Sequence, residues 1–460
     1  MELDEILKLI KDHEPKIQTE LARLEKLKCY IDGAHPRPYL PDDPSKQYTI
    51  LTERATTNLL PMVRNASLQQ LFVKGIRTSE PSKDAQVWDI MQANQFDLRQ
   101  TQIFSSALDY GAAFGVVQRG EVNGQLKPVI RGISARRMYV LYEDPVMDEW
   151  PTYAFMLDYH GLVVELWDDR NIYKIKYASP PEGQKPAPYI DSISEHGSDV
   201  CPVVRFASNQ DLDGRCIGEI EPLLTTQDKI NQISFDLLIV QHYNAFTIQG
   251  ISGVSVAKDK VTGKEVPIQI KPDRLITLTD PDSKAWQLPG SPLDGYIKAF
   301  ESAVNQMAIQ SGTPAQYMMA GSNMSNLSAD ALAAAEKPLT RKVQAYKVAF
   351  GESVEKLVRQ ASVVAGYGDL PERLEVVWED RESRSLAQVA DALNKFLTLG
   401  IPAQGLWDQI PGVTQSQIEE WKKLVKENDP NQLLLEQMQG VNSATSTRNP
   451  VPERAAGYPA

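Results

Sequence analysis

From residue 3 to residue 30 apolar side chains recur at helical spacing: Ile6, Leu9 and Ile10, then Ile17, Leu21, Leu24 and Leu27. Pro15 stands between the two groups and predicts an interruption, because proline lacks a backbone donor and crowds the preceding turn. The stretch DGAHPRPYLPDDPSKQ reads as a turn-rich linker. TERATTNLLPMVRNASLQQLFVKGI then reads as helix followed by strand, and DAQVWDIMQANQFDLRQTQIFSSALDYGAAFGVVQRG as helix turning extended. Between about 115 and 206 short alternating runs, among them FGVVQRG, YAFMLDYH, LVVELWDD and IYKIKYAS, predict an antiparallel meander.

The pattern then changes. Residues 218–247 return to helical spacing, with Pro222 placed where the first turn of a helix tolerates it. A β-like insert of about forty residues follows, with a turn at Thr262-Gly263 and clean alternation in DRLITLTD. Leu293 to Ser311 is a second helix, carrying Ile297, Phe300, Val304 and Met307 three and four residues apart. A third, long helix spans 329–364, with the stripe Leu332, Ala335, Leu339, Val343, Tyr346, Phe350, Val354 and Leu357. Ser328 is placed to cap it, Asp330 suits the positive end of its dipole, and Pro338 predicts a kink inside it. RLEVVWED predicts a strand, SLAQVADALNKFLTLGI and TQSQIEEWKKLVKEN two short helices, and the last twenty or so residues a disordered tail.

Composition adds one anomaly. The 460 residues are 23% charged, yet Ser302 to Ala329 holds no Asp, Glu, Lys or Arg. About six charges would be expected over that length at ordinary globular content. The length predicts two to four substructures, and no apolar run is long enough to cross a bilayer, so the chain is expected to act in a cytoplasm without membrane contact. A net charge of −12 argues against tight nucleic-acid binding. It is compatible with letting DNA pass without holding it, since like charges keep a polyanion off a surface.

Catalytic signatures are missing. VTGKEVP lacks the first glycine and the Ser/Thr of a phosphate loop, and no dinucleotide, nucleophile-elbow or zinc-protease motif occurs. His13, His35, His160, His196 and His242 are scattered singly. Cys29, Cys201 and Cys216 have no metal-type spacing and read as reduced thiols. The acidic pairs in YLPDDP, LWDDR, DLDG and WEDRE read as solvated loops. The expectation is a protein without enzymatic activity, cofactor or metal.

The block SDVCPVVRFASNQDLDGRCIGEIEPLLTTQDKINQISFDLLIVQHYNAFTIQGISG resembles the middle of tailed-bacteriophage portal proteins of the siphophage type. The matching positions are Pro202, Val203, Val204, Asn209, Gly218, Leu223, Gln227, Asp228 and Asn231. KCYIDGAHPRP, ALDYGAAFGVV, the long helix and VVWEDRESRSLAQVADALNKFLTLGIP are similar to further landmarks in the same order, so the likeness spans about 30–425.

The resemblance implies an α+β portal-type protomer: a mixed α/β wing, a two-helix stem, a small β clip, a long kinked helix and a helical crown. Residues 1–45 would be an N-terminal arm and linker, 46–217 the wing, 218–249 the first stem helix, 250–290 the clip and 291–312 the second stem helix. Residues 313–328 would be a tunnel loop, 329–382 the long wing helix and strand, 383–430 the crown and 431–460 the tail. It further implies a ring, usually a dodecamer, at one capsid vertex of the virion, assembled in the cytoplasm of a bacterial host. Its partners would be double-stranded DNA in non-specific transit, the large terminase subunit, major capsid and scaffolding proteins, and a head–tail adaptor. On this reading the DNA-channel residues are Gln316, Met318, Met319, Ser322, Asn323, Met324, Ser325 and Asn326, with Pro338 as the helix kink. Uncharged side chains there would touch phosphates weakly, where a ring of cations would trap them. Asp228, Asp236, Glu219 and Glu221, lying between apolar positions of the first stem helix, would be a solvated face or a channel wall. The competing readings are another oligomeric virion adaptor or minor capsid protein, and a packaging-motor enzyme, which the missing phosphate loop disfavours.

Overall fold

The computed structural model describes residues 3–40, 46–122, 125–178, 187–245, 249–252, 284–287, 290–319, 329–368, 370, 373–379, 386–410, 412–413 and 415–427. The Thr262-Gly263 turn and most of the β insert, the Ser328 cap, Ser322 to Asn326 and the C-terminal tail lie outside these residues. The fold is mixed α+β, in two units: Met1–Leu71 with Thr78–Glu375, and Phe72–Arg77 with Val376–Ala460.

In the first unit α1 runs unbroken from Leu3 to Ile31, against the expected interruption at Pro15. Pro15 and Lys11, the residue whose carbonyl loses its partner, are both exposed, so water can satisfy that carbonyl and the helix continues. Helices α2 (Lys46–Arg54) and α3 (Leu60–Leu68) follow. After strand β1 (Val73–Thr78), which belongs to the second unit, come α4 (Pro81–Ala93) and α5 (Phe96–Tyr110).

The alternating region forms two sheets where one meander was expected. Strands β2 (Ala112–Val122) and β3 (Gln125–Ser134) make a long antiparallel ladder, while β4 (Met138–Leu141), β5 (Tyr153–Leu157), β6 (Val163–Trp167), β7 (Asn171–Tyr177) and β8 (Pro188–Glu195) form a separate five-stranded meander. Strand β9 (Val203–Ala207) returns past the meander to pair with β2, giving the order β3-β2-β9. Val203 and Val204, adjacent and so on opposite faces of β9, are both buried, which means that the strand is covered on both sides there.

Helix α1 serves both sheets. Its first half sets Ile6, Ile10 and Ile17 against Phe155, Leu166, Tyr173 and Ile175 of the meander, and the second half sends Leu24, Leu27 and Tyr30 into the larger core. In β7 the sequence NIYKIKY buries Tyr173 and Ile175 on one face and exposes Lys174 and Lys176 on the other, with Ile172 at the strand's start buried as well.

Next come α6 (Leu224–Ala245), β10 (Gln249–Ser252), β11 (Lys284–Gln287), α7 (Asp294–Ser311) and α8 (Ala329–Ala365). The buried side of α8 packs on β2, β3 and β9. Phe350 stacks on Phe104 with ring centroids 4.9 Å apart, and Phe206 tilts against both. Each fully buried aromatic of this kind contributes on the order of 2–3 kcal/mol.

The second unit pairs β1 with β12 (Leu374–Trp378) and carries α9 (Leu386–Thr398) and α10 (Gln415–Glu427). Leu406 and Ile418 are buried there, and Trp407 meets Trp421 edge-on at 5.9 Å.

Candidate functional site

Helices α6 and α7 form an antiparallel hairpin. At the end nearest the core Thr226 Oγ1 donates to Gln310 Oε1 at 2.6 Å and Lys229 Nζ to Gln306 Oε1 at 3.0 Å. At the far end Asn244 Nδ2 donates to Ser291 O at 2.7 Å, and Ser291 N returns a bond to Asn244 Oδ1 at 3.1 Å. From there the hairpin continues as β10 and β11, paired antiparallel with Gln249 opposite Gln287 and Ser252 opposite Lys284. Burial falls along its length: Gln227, Ile230, Asn231 and Phe235 are buried, as are Val304 and Met307, whereas most of α7 before Phe300 is exposed. The hairpin is rooted at one end and less buried at the other.

The acids expected on the first stem helix differ in burial: the Glu219 side chain is buried, whereas Glu221, Asp228 and Asp236 are half-buried and each is hydrogen-bonded. Glu219 is 3% exposed and bonds Lys342 Nζ and Ser67 Oγ. Glu221 pairs with Arg23 at 2.5 Å and Arg215 at 3.0 Å. Asp228 accepts from the Tyr30 hydroxyl at 2.8 and 2.9 Å, and Asp236 from Gln232 Nε2 at 3.1 Å. Periodicity placed these acids among apolar positions correctly. It could not show the cations and two hydroxyls that reach Glu219, Glu221 and Asp228 from elsewhere in the chain, α1, α3 and α8 among them.

A close backbone crossing lies beneath the root. Gly111, at φ +92°, passes so near Gly218 that a Cβ on Gly111 would meet Cys216 O at 2.6 Å, and one on Gly218 would meet Asp109 O at 2.6 Å. Only glycine fits at both positions. Glu219 N donates across the crossing to Leu108 O at 2.7 Å, and Ser208 N to Gly111 O at 3.0 Å.

Two buried ion pairs flank the crossing. Arg64 of α3 reaches Asp109 of α5 at 3.2 Å, and Lys342 of α8 reaches Glu219. Burial pushes the Asp109 carboxyl up to about 6, against the lowering effect of Arg64 and with help from the nearby Glu219 charge. Burial pushes Glu219 up as well, opposed mainly by Lys342. Tyr346, one turn beyond Lys342, is held well above its usual range by burial and by Glu219.

From this root the chain enters the uncharged stretch. Gly312 closes α7 in a left-handed cap, Thr313 is buried, and Ala315–Tyr317 make a single 3-10 turn. Gln316 is half-buried. Met318 is buried and joins the larger core, and the half-buried Met319 packs against that core. Tyr317 is exposed and donates to Glu336 Oε1 on α8 at 3.1 Å. Pro338 lies inside a continuous α8. Before it Ala331, Ala334, Ala335 and Lys337 are exposed; after it Leu339, Val343, Phe350, Val354 and Leu357 are buried.

Elsewhere the acidic loops have local roles. Asp168 Oδ1 accepts from Arg170 N and Asn171 N and its Oδ2 from the Tyr173 hydroxyl, closing the β6–β7 turn, and Asp211 Oδ1 accepts from Asp213 N and Arg215 N. Among the described residues no cluster of His, Cys, Asp or Glu is suited to hold a metal ion, and no helix is long and apolar enough to cross a membrane. His196 is buried against Asp168 O and Trp167, and burial pushes its pKa down.

A sequence-family model described as "Phage portal protein, SPP1 Gp6-like" matches residues 9–431. The chain belongs to this phage portal protein family. It is 25% identical over 348 residues to the portal protein of Mycobacterium phage D29, covering 70% of this chain and 69% of that one. The portal protein of Mycobacterium phage L5 is 25% identical over 351 residues, with 70% and 68% covered. Among solved structures, a chain from the neck of an empty GTA particle computed with C6 symmetry aligns at 11% identity and TM-score 0.46, over 80% of this chain and 96% of that one. One from the neck of a native GTA particle computed with C12 symmetry aligns at 12% and 0.43, over 86% and 98%.

In this portal-family chain the stretches that carried the sequence resemblance meet in space. Gln227 accepts from Leu59 N and donates to Thr57 O and Asn231 Oδ1. Asn231 also bonds Thr57 N and His35, whose other ring nitrogen contacts Tyr30 O at 2.9 Å. With the Tyr30–Asp228 bond, this network ties the end of α1 and the approach to α3 onto α6. Burial and the Asp228 carboxylate hold the Tyr30 hydroxyl well above its ordinary pKa. Polar residues spaced four apart on a helix hinted at a shared face. Their partners, nearly two hundred residues away in sequence, gave no such hint.

Proposed function

We propose that the chain is the portal subunit of a tailed phage. Copies close into a ring at one capsid vertex, the genome enters and leaves through its centre, and the ring receives the packaging terminase on one occasion and head–tail connector proteins on another. Portal proteins are structural, so the described ionisable groups serve packing and assembly. The observation that carries the reading is the family match over residues 9–431.

In this reading the α6/α7 hairpin is the stem and 250–290 the clip, residues 46–217 with α8 are the wing, and 383–430 is the crown. The uncharged stretch faces the passage through Ser322, Asn323, Met324, Ser325 and Asn326, with Gln316, Met318 and Met319 at its foot. Two observations support this. The hairpin is less buried toward the end that carries β10 and β11, where most of α7 before Phe300 is exposed, as a stem reaching out to partners requires. Ser302 to Ala329 carries no charge, as a surface that must surround DNA without gripping it requires. Contacts between neighbouring subunits are heterologous, the arrangement that closes into a ring.

Imaging purified full-length protein by negative stain tests the proposal. Closed rings with a central hole are expected. Monomers or two-fold dimers at every concentration would refute it.

A further inference from the structure

The geometry points to Lys342 and Glu219 as a buried clamp that holds the foot of the uncharged stretch, with Lys342 the positioning residue for Gln316, Met318 and Met319. This rests on the portal reading for its functional meaning, but the clamp itself stands on contacts. Lys342 Nζ makes three: to the Glu219 carboxylate, to Ser311 O at 2.7 Å and to Thr313 Oγ1 at 3.3 Å. One ammonium thus gathers the start of the α6 segment, the last residue of α7 and the first turn beyond it. One of its three protons goes to Ser311 O, a carbonyl that the helix end leaves without an intrahelical partner.

The position along α8 gives the clamp its leverage. Lys342 lies one turn past Pro338, where the helix passes from exposed to buried, and Lys342 itself is about four-fifths buried. Glu219 is fixed from behind by Ser67 Oγ at 2.7 Å and by its own backbone bond to Leu108. The charges near the pair on neighbouring elements are Arg64 on α3 and Asp109 on α5, which bond each other. The carboxylate is therefore held on the rigid side and the ammonium reaches across to the stretch. Beyond the clamp, Tyr317 to Glu336 is the further side-chain tie between the 313–319 segment and the exposed part of α8 that the structure shows.

Amide hydrogen exchange on the full-length protein tests this. Lys342→Met keeps the length of the side chain and removes the ammonium, so exchange at residues 311–319 is expected to speed up by on the order of tenfold, with β2 and β9 unchanged. Lys342→Arg, which keeps the charge, should restore most of the protection. Because Lys342→Met leaves a buried carboxylate unpaired and can impair folding, Glu219→Gln with Lys342→Met is the second variant. It should recover wild-type melting while keeping fast exchange at 311–319, since Ser311 O and Thr313 Oγ1 still lack their donor. Wild-type protection at 311–319 in either Met variant, or an increase spread evenly over the first unit in the double variant, would overturn the clamp. Capsids packaged with the double variant supply the functional arm. Reduced DNA content accompanies the clamp if the stretch borders the passage. Normal content with fast exchange leaves the clamp standing and counts against the portal assignment of this stretch.

Discussion

The two parts of α8 separated by Pro338 share one helix and one backbone ladder but rest on different physics. Before the proline the arm reads ADALAAAEK, and its described side chains are exposed or half-exposed. After it, Leu339, Phe350, Val354, Leu357, Val358 and Ala361 are all at 0% exposure. The first part is held by alanine's low entropic cost in a helix, the second by apolar surface removed from water. Helical periodicity is visible in both, so a stripe alone does not report which part is supported by a core. Proline marks the change because its missing donor is tolerable only where the orphaned carbonyl can reach water.

The strongest way to break this contrast is at Phe350. Phe350→Ala removes the ring stacked on Phe104 and tilted on Phe206, and should cost about 3–5 kcal/mol, seen as an earlier cooperative melt of the first unit. A loss below about 1 kcal/mol would mean that the buried part of α8 is not a core element. The smaller test is Ala335→Gly in the arm. It should cost about 1 kcal/mol locally, raising exchange at residues 331–337 and leaving the main melt unmoved. A melt shifted as far as that of Phe350→Ala would merge the two parts and end the distinction.

The elements were readable wherever period and punctuation agreed. LVVELWDD and IYKIKYAS became β6 and β7, the Pro222 helix began at a single 3-10 turn before α6, and the Leu339-to-Leu357 stripe became the buried face of α8. Ala335 was misplaced in that stripe because a small residue satisfies the period whether or not a core lies beneath it. Pro15 was misread because the spacing carried no sign that its face was wet. The two sheets were merged because β9 pairs with β2 across the whole meander, and alternation says nothing about which strand is the partner. Met318 lies in a loop, and loops are usually exposed; that it is buried with the larger core is visible only in the fold. Lys342 and Glu219 were each ordinary helix residues in sequence, 123 positions apart. Only the fold makes them one group.

If DNA passes an uncharged stretch that touches it only weakly, as proposed, Asn323→Lys changes the passage where it matters most. The substitution falls in the part of the stretch outside the described residues and adds one cation per subunit to the surface assigned to the passage. If Asn323 lines the passage as proposed, the change falls on a surface position and costs within about 0.5 kcal/mol, so folding and assembly should survive. Rings of the variant are built into capsids and packaged DNA is measured against ionic strength. Packaging should slow, and more so as salt is lowered, because each lysine can neutralise a phosphate and salt screens the attraction. Wild-type packaging at every salt concentration would contradict the proposal.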